Sequence, residues 1–322
     1  MRAIRVTQLG GPEVLTPVTA DDPRAGAGEV LVALEAVGVN FIDVYFRTGL
    51  YRKPLPYTPG GEGAGTVLAV GEGVRDLRVG DRVASVAFAG AYAERAVAKA
   101  EQVVPLPASV SSRDAAAVML QGMTAHYLAT STHALQRGDR CLIHAAAGGV
   151  GLLLAQIARA RGAYVIGTVS TEEKARLARE AGCHDTILYT QTSFVDEVRR
   201  ITSGAGVRVV YDSVGRTTFD GSLDCLAPRG LMALFGQSSG PVPPVDPAIL
   251  NQKGSLFLTR PTLASYVATP EELRGRATEL FRWMAEGALH VRVDRDLPLD
   301  DAREAHRALE ARETTGKVLL KT

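Results

Sequence analysis

A long alternation of buried strands and amphipathic helices begins near Arg140 and constrains the fold of this chain more than any other feature. Its first strand, CLIHA, is followed by the helix VGLLLAQIARARG, and the pattern continues through YVIGTV, TILY, VRVVYD, GLMALFG and SLFLT. Strands that are apolar at every position are typical of a parallel sheet covered by helices on both faces. The middle of the chain is therefore predicted to be a doubly wound α/β domain.

The residues before this stretch follow a different pattern. Short β-rich runs at 29–37, 64–70, 82–86 and 92–97 are separated by glycine- and proline-rich turns. They favour a small, partly open β-barrel. A helix predicted over 115–130 leads out of it, because its apolar residues have helical spacing.

The domain organisation follows from these two patterns. A chain of 322 residues and 34.1 kDa is long enough for two domains that each bury a core. Residues 1–123 are predicted to form the β-rich domain and residues 124–260 the doubly wound domain. Residues 261–322 are predicted to return to the first domain with two helices and a last strand, KVLLK.

Composition excludes several classes of protein. The net charge is only +1, so no field of one sign is available to hold a nucleic acid. The three cysteines have neither C-x-x-C spacing nor a histidine at ligand distance, which argues against a disulfide framework and a structural zinc. No signal peptide and no apolar run of membrane-spanning length is found, so a cytosolic protein without membrane insertion is predicted.

A glycine-rich loop joins the first strand of the doubly wound stretch to its helix. The sequence AAAGGVG at 145–151 has the small residues that let a backbone approach a pyrophosphate, and the helix that follows presents free N–H groups and a positive dipole end. The predicted cofactor-binding residues of this loop are Ala146, Gly148, Gly149, Val150 and Gly151. The alternative is a tight turn that only allows close helix packing.

The end of the second strand of this stretch bears on the choice of dinucleotide. An NAD site usually has Asp or Glu there, whereas this chain has Val169, Ser170 and Thr171. Ser170 and Lys174 can bind a 2′-phosphate, so NADPH is the predicted cofactor. The neighbouring pair of glutamates opposes this by adding negative charge, and Lys174 could instead be an ordinary solvated lysine on a helix.

Seven stretches spread over nearly the whole chain resemble one known family. They are GVNFIDVYFRTGLY (38–51), PGGEGAG (59–65), VGDRV (79–83), AAAGGVG (145–151), YDSVG (211–215), GLMALFGQSSG (230–240) and ILNQKGSLFLTRP (249–261). Together they resemble the zinc-free, zeta-crystallin-like NADPH:quinone oxidoreductases of the medium-chain dehydrogenase/reductase superfamily. The resemblance implies a GroES-like, partly open β-barrel domain built from both chain ends around a Rossmann domain, with NADPH as cofactor and a small-molecule quinone as substrate.

The resemblance also implies that no metal is bound. Zinc alcohol dehydrogenases of this superfamily have Cys and His where this chain has Asn40 and Gly61. Neither residue supplies a thiolate or an imidazole. Without a Lewis acid, an electron-poor acceptor such as a quinone suits the site better than an alcohol.

The family comparison assigns catalytic roles to Asn40, Tyr45 and Tyr51, which are expected to orient the quinone carbonyl, with a tyrosine or water as proton donor. Asp43 is expected to orient its neighbours rather than to transfer protons. Outside the family context, each tyrosine is interpreted rather as an amphipathic core residue with its hydroxyl at the surface.

Other residues match the family pattern one at a time. His144, beside the glycine loop, is assigned to packing, and the apolar strand SLFLT is expected to pair with a second copy in a homodimer. The further predicted cofactor-binding residues are Thr124, Tyr189, Phe235, Gly236, Ser238, Asn251 and Lys317.

Two other functions remain open at this point. The same zinc-free scaffold suits reduction of α,β-unsaturated ketones. The zeta-crystallin resemblance also permits a nucleotide-bound structural or RNA-binding protein, although the net charge of +1 opposes RNA binding.

Overall fold

The computed structural model describes all residues, 1–322, and the chain forms two compact units. The first comprises Met1–Leu120 and Val267–Thr322, and the second comprises Gln121–Tyr266. The first unit therefore contains both chain ends. The chain passes from one unit to the other after Leu120 and after Tyr266, whereas the sequence patterns placed these points after residues 123 and 260.

The first 127 residues contain seven strands and two helices. Their bounds are β1 Arg2–Arg5, β2 Thr16–Thr19, β3 Glu29–Val39, α1 Phe41–Arg47, β4 Gly63–Val70, β5 Arg82–Ser85, β6 Arg95–Lys99, β7 Val104–Pro105 and α2 Ser112–Tyr127. The four predicted strands correspond to β3, β4, β5 and β6 and are confirmed. The helix α1 was not predicted, because its seven residues are too few to give a helical pattern in the sequence.

The second unit contains six strands and five helices after α2. Their bounds are β8 Arg140–Ile143, α3 Gly149–Ala160, β9 Tyr164–Val169, α4 Glu172–Glu180, β10 Asp185–Leu188, α5 Phe194–Ile201, β11 Val207–Asp212, α6 Phe219–Asp224, β12 Leu226–Leu234, α7 Ala248–Gln252 and β13 Phe257–Thr259. All strand pairings are parallel, in the order β10-β9-β8-β11-β12-β13. The predicted doubly wound sheet is confirmed. Its order reverses between β8 and β11, which is where open α/β sheets bind ligands.

The last part of the chain completes the sheet of the first unit. Its elements are α8 Pro270–Ala285, β14 Val293–Pro298, α9 Ala302–Glu310 and β15 Lys317–Lys321. The strand β15 pairs antiparallel with β3, in a sheet ordered β14-β15-β3-β4-β5-β7 with β6 also on β3. Both chain ends therefore build one sheet, and β14 is a strand that the sequence patterns missed.

Each unit buries its own apolar core. The first core gathers side chains such as Val32, Val67 and Leu320, and the second gathers Leu142, Ile166 and Met232. The three cysteines are buried and free. No helix combines the length and the apolar character that crossing a membrane requires. Short helical turns occupy Pro12–Val14, Ala100–Gln102, Leu128–Thr132, Leu263–Tyr266 and Leu299–Asp301.

Candidate active site

The glycine loop of the second unit lies at the carboxyl end of β8. The amide of His144 donates to the carbonyl of Tyr211 (3.0 Å), and Gly148 N donates to Ala145 O (2.8 Å). Ala145 has a φ of 51°, so the chain turns sharply there. A Cβ on Gly151 would lie 2.4 Å from Ala145 O, and only glycine fits the turn.

The same loop leaves the first turn of α3 open to a ligand. Gly148 precedes α3 in extended conformation, and no side chain caps the helix. Leu152 N donates to Gly148 O (2.9 Å), so the N–H groups of residues 149–151 precede the first bond of the helix. Free N–H groups at the positive end of a helix bind an anion such as a pyrophosphate.

Close packing also explains one of the glycines. A Cβ on Gly149 would lie 1.9 Å from Oε1 of Gln121 on α2. The close packing expected as the alternative is therefore present at Gly149. Binding of a pyrophosphate by this loop stays a prediction.

The residues predicted for the adenosine end lie at two neighbouring strand ends. Ser170 follows β9, and Tyr189 follows β10, with its N–H donating to Val169 O (3.2 Å). Lys174 is in the first turn of α4, where its N–H donates to the capping Oγ1 of Thr171 (3.3 Å). The fold thus brings Ser170, Lys174 and Tyr189 to one edge of the sheet.

The negative charge of the neighbouring glutamates opposes phosphate binding less than the sequence suggests. Glu173 is paired with Arg176 (2.6 Å), which also binds Glu180 (2.5 Å). These bonds raise the pKa of Arg176, which stays charged. Part of the negative charge near Ser170 is therefore neutralised within α4.

The residues predicted beside the nicotinamide lie at the ends of β11 and β12. The N–H groups of Phe235 and Gly236 both donate to the carbonyl of Asp212 (2.8 and 3.2 Å), and Ser238 N donates to Ser213 O (3.1 Å). A Cβ on Gly236 would lie 2.6 Å from Ser213 O. Two predicted residues lie on other elements: Thr124 is buried on α2, and Asn251 is exposed on α7.

His144 does more than pack. Its Nδ1 is 2.9 Å from Oγ1 of Thr168, and its Nε2 is 2.9 Å from Oγ of Ser222. Ser222 donates in turn to Asp212 (3.0 Å), whose carboxylate also accepts the N–H of Val214 (2.7 Å). Burial lowers the pKa of His144, so a neutral imidazole joins the ends of β8, β9 and β11. The assignment of this residue to packing alone was incomplete.

Asn40 and Lys317, far apart in sequence, meet in a buried polar cluster of the first unit. The ammonium of Lys317 donates to Oδ1 of Asn40 (2.9 Å) and to the carboxylate of Glu62. Asn40 Nδ2 also donates to Glu62 (2.7 Å), whose other oxygen accepts the N–H of Leu120 (2.6 Å). Asn40 is 5% exposed, and Glu62 and Lys317 are fully buried.

This triangle fixes the side-chain amide of Asn40. Its oxygen faces a cation and its nitrogen faces an anion, so only one orientation satisfies both. A Cβ on Gly38 would lie 2.0 Å from Glu62 Oε2, and the glycine therefore makes room for the cluster. Lys317, predicted to contact the cofactor, is fully buried at the start of β15, and its ammonium binds Asn40 and Glu62.

The same cluster does not fit a zinc ion. The oxygen of Asn40 is bound to an ammonium, which would repel a dication placed beside it. Gly61 has no ligand atom, and a Cβ there would lie 2.7 Å from Val86 O. No group of three or more His, Cys, Asp or Glu side chains is arranged to hold a metal.

Asp43 lies in the first turn of α1. Its Oδ2 accepts the N–H of Asn40 (3.0 Å) and the hydroxyl of Tyr92 (3.2 Å). Burial raises the pKa of this carboxyl to about 6, although both hydrogen bonds favour the charged form. Asp43 therefore fixes the start of α1 through its bond to the N–H of Asn40. That it takes no part in proton transfer stays a prediction.

The two predicted catalytic tyrosines lie together. Tyr45 is on α1 and Tyr51 follows it, with ring centroids 5.3 Å apart at 64°. Tyr51 N donates to Tyr45 O (2.9 Å), which holds the turn between them. Both side chains are half-buried, so each retains an accessible edge.

Several polar residues of this unit were not predicted from the sequence. Glu62 is the one charged residue of PGGEGAG. A lone carboxylate among glycines could have indicated a buried polar site. Arg47, Tyr92 and His306 gave none, because their partners are distant in sequence. Arg47 and His306 are 259 residues apart and 3.1 Å from each other.

Comparison with known proteins agrees with both units. Residues 26–108 match the alcohol dehydrogenase GroES-like domain, and residues 149–283 match the zinc-binding dehydrogenase family. A GroES-like domain joined to a Rossmann-type domain defines a medium-chain dehydrogenase/reductase.

Relatives that match over their full length identify the family within this class. The chain is 48% identical to the quinone oxidoreductase of Pseudomonas aeruginosa over 99% of both chains. It is 44% identical to a 2-haloacrylate reductase from Burkholderia, over 98% of this chain and 97% of that protein. The solved Escherichia coli quinone oxidoreductase complexed with NADPH is 46% identical, with a TM-score of 0.98 and complete coverage of both chains. This chain belongs to the quinone oxidoreductase family.

Proposed function

We propose that this protein is an NADPH:quinone oxidoreductase that passes a hydride from NADPH to a quinone without a metal. The observation that carries the proposal is the full-length likeness to the E. coli quinone oxidoreductase complexed with NADPH. The second unit of this chain supplies the matching features: a bare helix N-terminus at the glycine loop and polar residues at the neighbouring strand ends.

Three groups of residues would hold the cofactor. The N–H groups after Gly148 would bind the pyrophosphate, and Ser170 and Lys174 would bind the 2′-phosphate. The strip from Phe235 to Ser238 would flank the nicotinamide. NADPH supplies the hydride when it is bound, and the residues of this chain only bind and orient it.

The first unit would orient the quinone. A quinone accepts hydride readily, so positioning is the main requirement. Tyr45 and Tyr51 offer hydroxyl groups, and Lys317 and Glu62 hold the amide of Asn40 in place. Asn40 would then shape the pocket wall, and the proton would come from a tyrosine or from water.

The proposal includes a homodimer that forms through β13. This strand is the last in its sheet and pairs only with β12, yet Phe257 is 60% exposed and Leu258 is 37% exposed. An apolar sheet edge of this kind is protected when a second copy pairs with it. Light scattering should give twice the chain mass, and Phe257→Asp should shift it towards one chain mass. Leu9→Asp, which changes an exposed leucine of the first unit, should leave the dimer intact. A monomeric wild type would contradict this part.

We further propose that the protein is cytosolic and that nucleic acid is not its main partner. Three buried, free cysteines fit a reducing compartment. The net charge of +1 gives no basis for binding a polyanion.

The direct test is the oxidation of NADPH by a panel of quinones, followed by the loss of NADPH absorbance, with kcat/KM determined for each quinone. We expect turnover with quinones, and a higher kcat/KM with NADPH than with NADH. Absence of quinone turnover in a preparation that binds NADPH would reject the proposal.

Reduction of an activated alkene is the second candidate. The 44% identity to a 2-haloacrylate reductase favours it, since both acceptors are electron-poor. Adding 2-haloacrylates and enones to the same panel separates the two functions.

A further inference from the structure

A continuous chain of hydrogen bonds crosses the interior of the first unit. It runs from Glu310 to Arg47 (2.7 Å), then to Nδ1 of His306 (3.1 Å). From Nε2 of His306 it continues to the hydroxyl of Tyr92 (2.9 Å) and on to Asp43 (3.2 Å). Arg47, Tyr92 and His306 are fully buried, so water does not compete for the bonds that join these three residues.

The direction of every bond in this chain is fixed by the chemistry of its members. A guanidinium only donates, so Nδ1 of His306 must accept from Arg47. Burial and the charge of Arg47 lower the pKa of His306 to about 3, which leaves a neutral ring with its proton on Nε2. That proton is donated to the oxygen of Tyr92, whose single hydroxyl hydrogen is then directed to the carboxylate of Asp43.

The two ring nitrogens of His306 therefore reach both ends of one helix. Nδ1 is bound to Arg47, the last residue of α1, and Nε2 is linked through Tyr92 to Asp43 in its first turn. The helix α1 has only seven residues, too few to be stable by its own backbone bonds. His306, on α9, thus holds the helix that begins after Asn40 and carries Tyr45.

We propose that His306 is a positioning residue of the active site: as a neutral imidazole with its proton on Nε2, it fixes both ends of α1 and so orients Asn40 and Tyr45 towards the substrate. This inference rests on the proposed function for its kinetic consequence. The hydrogen-bond direction itself does not depend on that function.

Kinetics of matched variants test the positioning role. Tyr92→Phe keeps the ring and breaks the chain at its hydroxyl, and it should lower kcat/KM for the acceptor by about two- to tenfold. The KM for NADPH should stay within about twofold, since the predicted cofactor residues of the second unit are untouched. The control is Tyr57→Phe, because the hydroxyl of Tyr57 is buried without a partner and its loss should leave turnover unchanged.

A conservative replacement of His306 distinguishes a positioning role from a general contribution to the stability of the fold. His306→Gln retains one donor and one acceptor, whereas His306→Leu has neither. We expect the Gln variant to keep more of the acceptor kcat/KM than the Leu variant at a temperature where both are folded by circular dichroism. Equal kcat/KM in wild type, Tyr92→Phe and His306→Leu would overturn the proposal.

The tautomer can be measured on the wild-type protein, which avoids variants that fail to fold. Nitrogen-15 NMR of histidine-labelled protein, with His306 assigned by His306→Gln, should show a protonated Nε2 and a bare Nδ1 from pH 8 to about 5. A proton on Nδ1, or an imidazolium at pH 6, would overturn the proposal. This result stands even if the wild type shows no quinone turnover, so failure of the inference and failure of the proposed function are separable.

Discussion

The ammonium of Lys317 lies 2.9 Å from Oδ1 of Asn40, the residue that stands where the sequence resemblance implies a cysteine in zinc-dependent members of the superfamily. Glu62 completes the triangle with bonds to both residues. The cluster replaces a metal-binding thiolate by an amide that is locked between a cation and an anion. The side-chain amide of Asn40 is therefore held in one orientation.

Removing Lys317 should be costly to the fold. In Lys317→Met the carboxylate of Glu62 stays buried without its cation, which should lower the free energy of unfolding by about 3–5 kcal/mol. Lys253→Met is the control, since its partner Asp224 is 36% exposed, and it should cost under about 1 kcal/mol. Urea denaturation measures both. Equal losses in the two variants would show that burial of the Lys317 pair does not matter.

Activity should not depend on zinc. The atoms around Asn40 are held by Lys317 and Glu62, so a chelator should leave kcat unchanged and elemental analysis should find no stoichiometric zinc. Loss of turnover after chelation, restored by added zinc, would contradict this prediction.

Selectivity for NADPH should reside at the start of α4. Lys174→Ala should raise the KM for NADPH with little change in kcat, because the 2′-phosphate lies far from the reacting carbon. The KM for NADH should not change. Arg200→Ala serves as the control, since this exposed arginine lies on α5 and is paired with Glu197. A constant ratio of the two KM values in Lys174→Ala would reject the assignment.

The tyrosine hydroxyls should orient the acceptor without being an indispensable proton source. Tyr45→Phe and Tyr51→Phe keep the edge-to-face ring pair and remove one hydroxyl each. Each change should lower kcat/KM for the quinone by about tenfold or less, since water can supply the proton. General acid catalysis is worth about 10² to 10⁴-fold, so a thousandfold fall in kcat at constant KM would make that tyrosine the acid.

Stability should respond to acid through His306. The unfolded chain binds a proton at this residue near pH 6.5, whereas the folded imidazole stays neutral to about 3, so its contribution to the free energy of unfolding is lost as the pH falls. Asp43 acts in the opposite sense, because its pKa rises from 3.8 to about 6 on folding. The two effects offset each other between about pH 6 and 4 in the wild type.

Replacing His306 removes one side of this balance. Between pH 6 and 4, the destabilisation caused by His306→Gln should shrink by about 1.4 kcal/mol per pH unit lowered. A pH-independent difference between His306→Gln and wild type would mean that the folded imidazole is not held neutral.

The fold was largely readable from the sequence because its signals are local. The alternation of apolar strands and helices predicted the parallel sheet. The glycine loop predicted where the first strand of that sheet ends and where α3 begins, just after Gly148. The short helix α1 and the strand β14 were missed. Both are fixed by tertiary contacts rather than by their own periodicity, as the parallel pairing of β14 with β15 shows.

The polar cluster could not be predicted from the sequence, because its members lie far apart along the chain. Asn40 was singled out, but its partner Lys317 lies 277 residues away and Glu62 lies 22 residues away. His306 and Tyr92 are separated by 214 residues. Such pairs leave no pattern in a single sequence: Asn40 and Lys317 were each predicted as site residues, but nothing in the sequence indicates that they meet.

One comparison of acceptors tests the central claim most directly. At saturating NADPH, a single preparation of the enzyme should be assayed with a quinone, a 2-haloacrylate and an enone, with kcat/KM determined for each. We predict the highest value for the quinone, unchanged after chelation. Turnover of the 2-haloacrylate or the enone with none of the quinone would contradict the account.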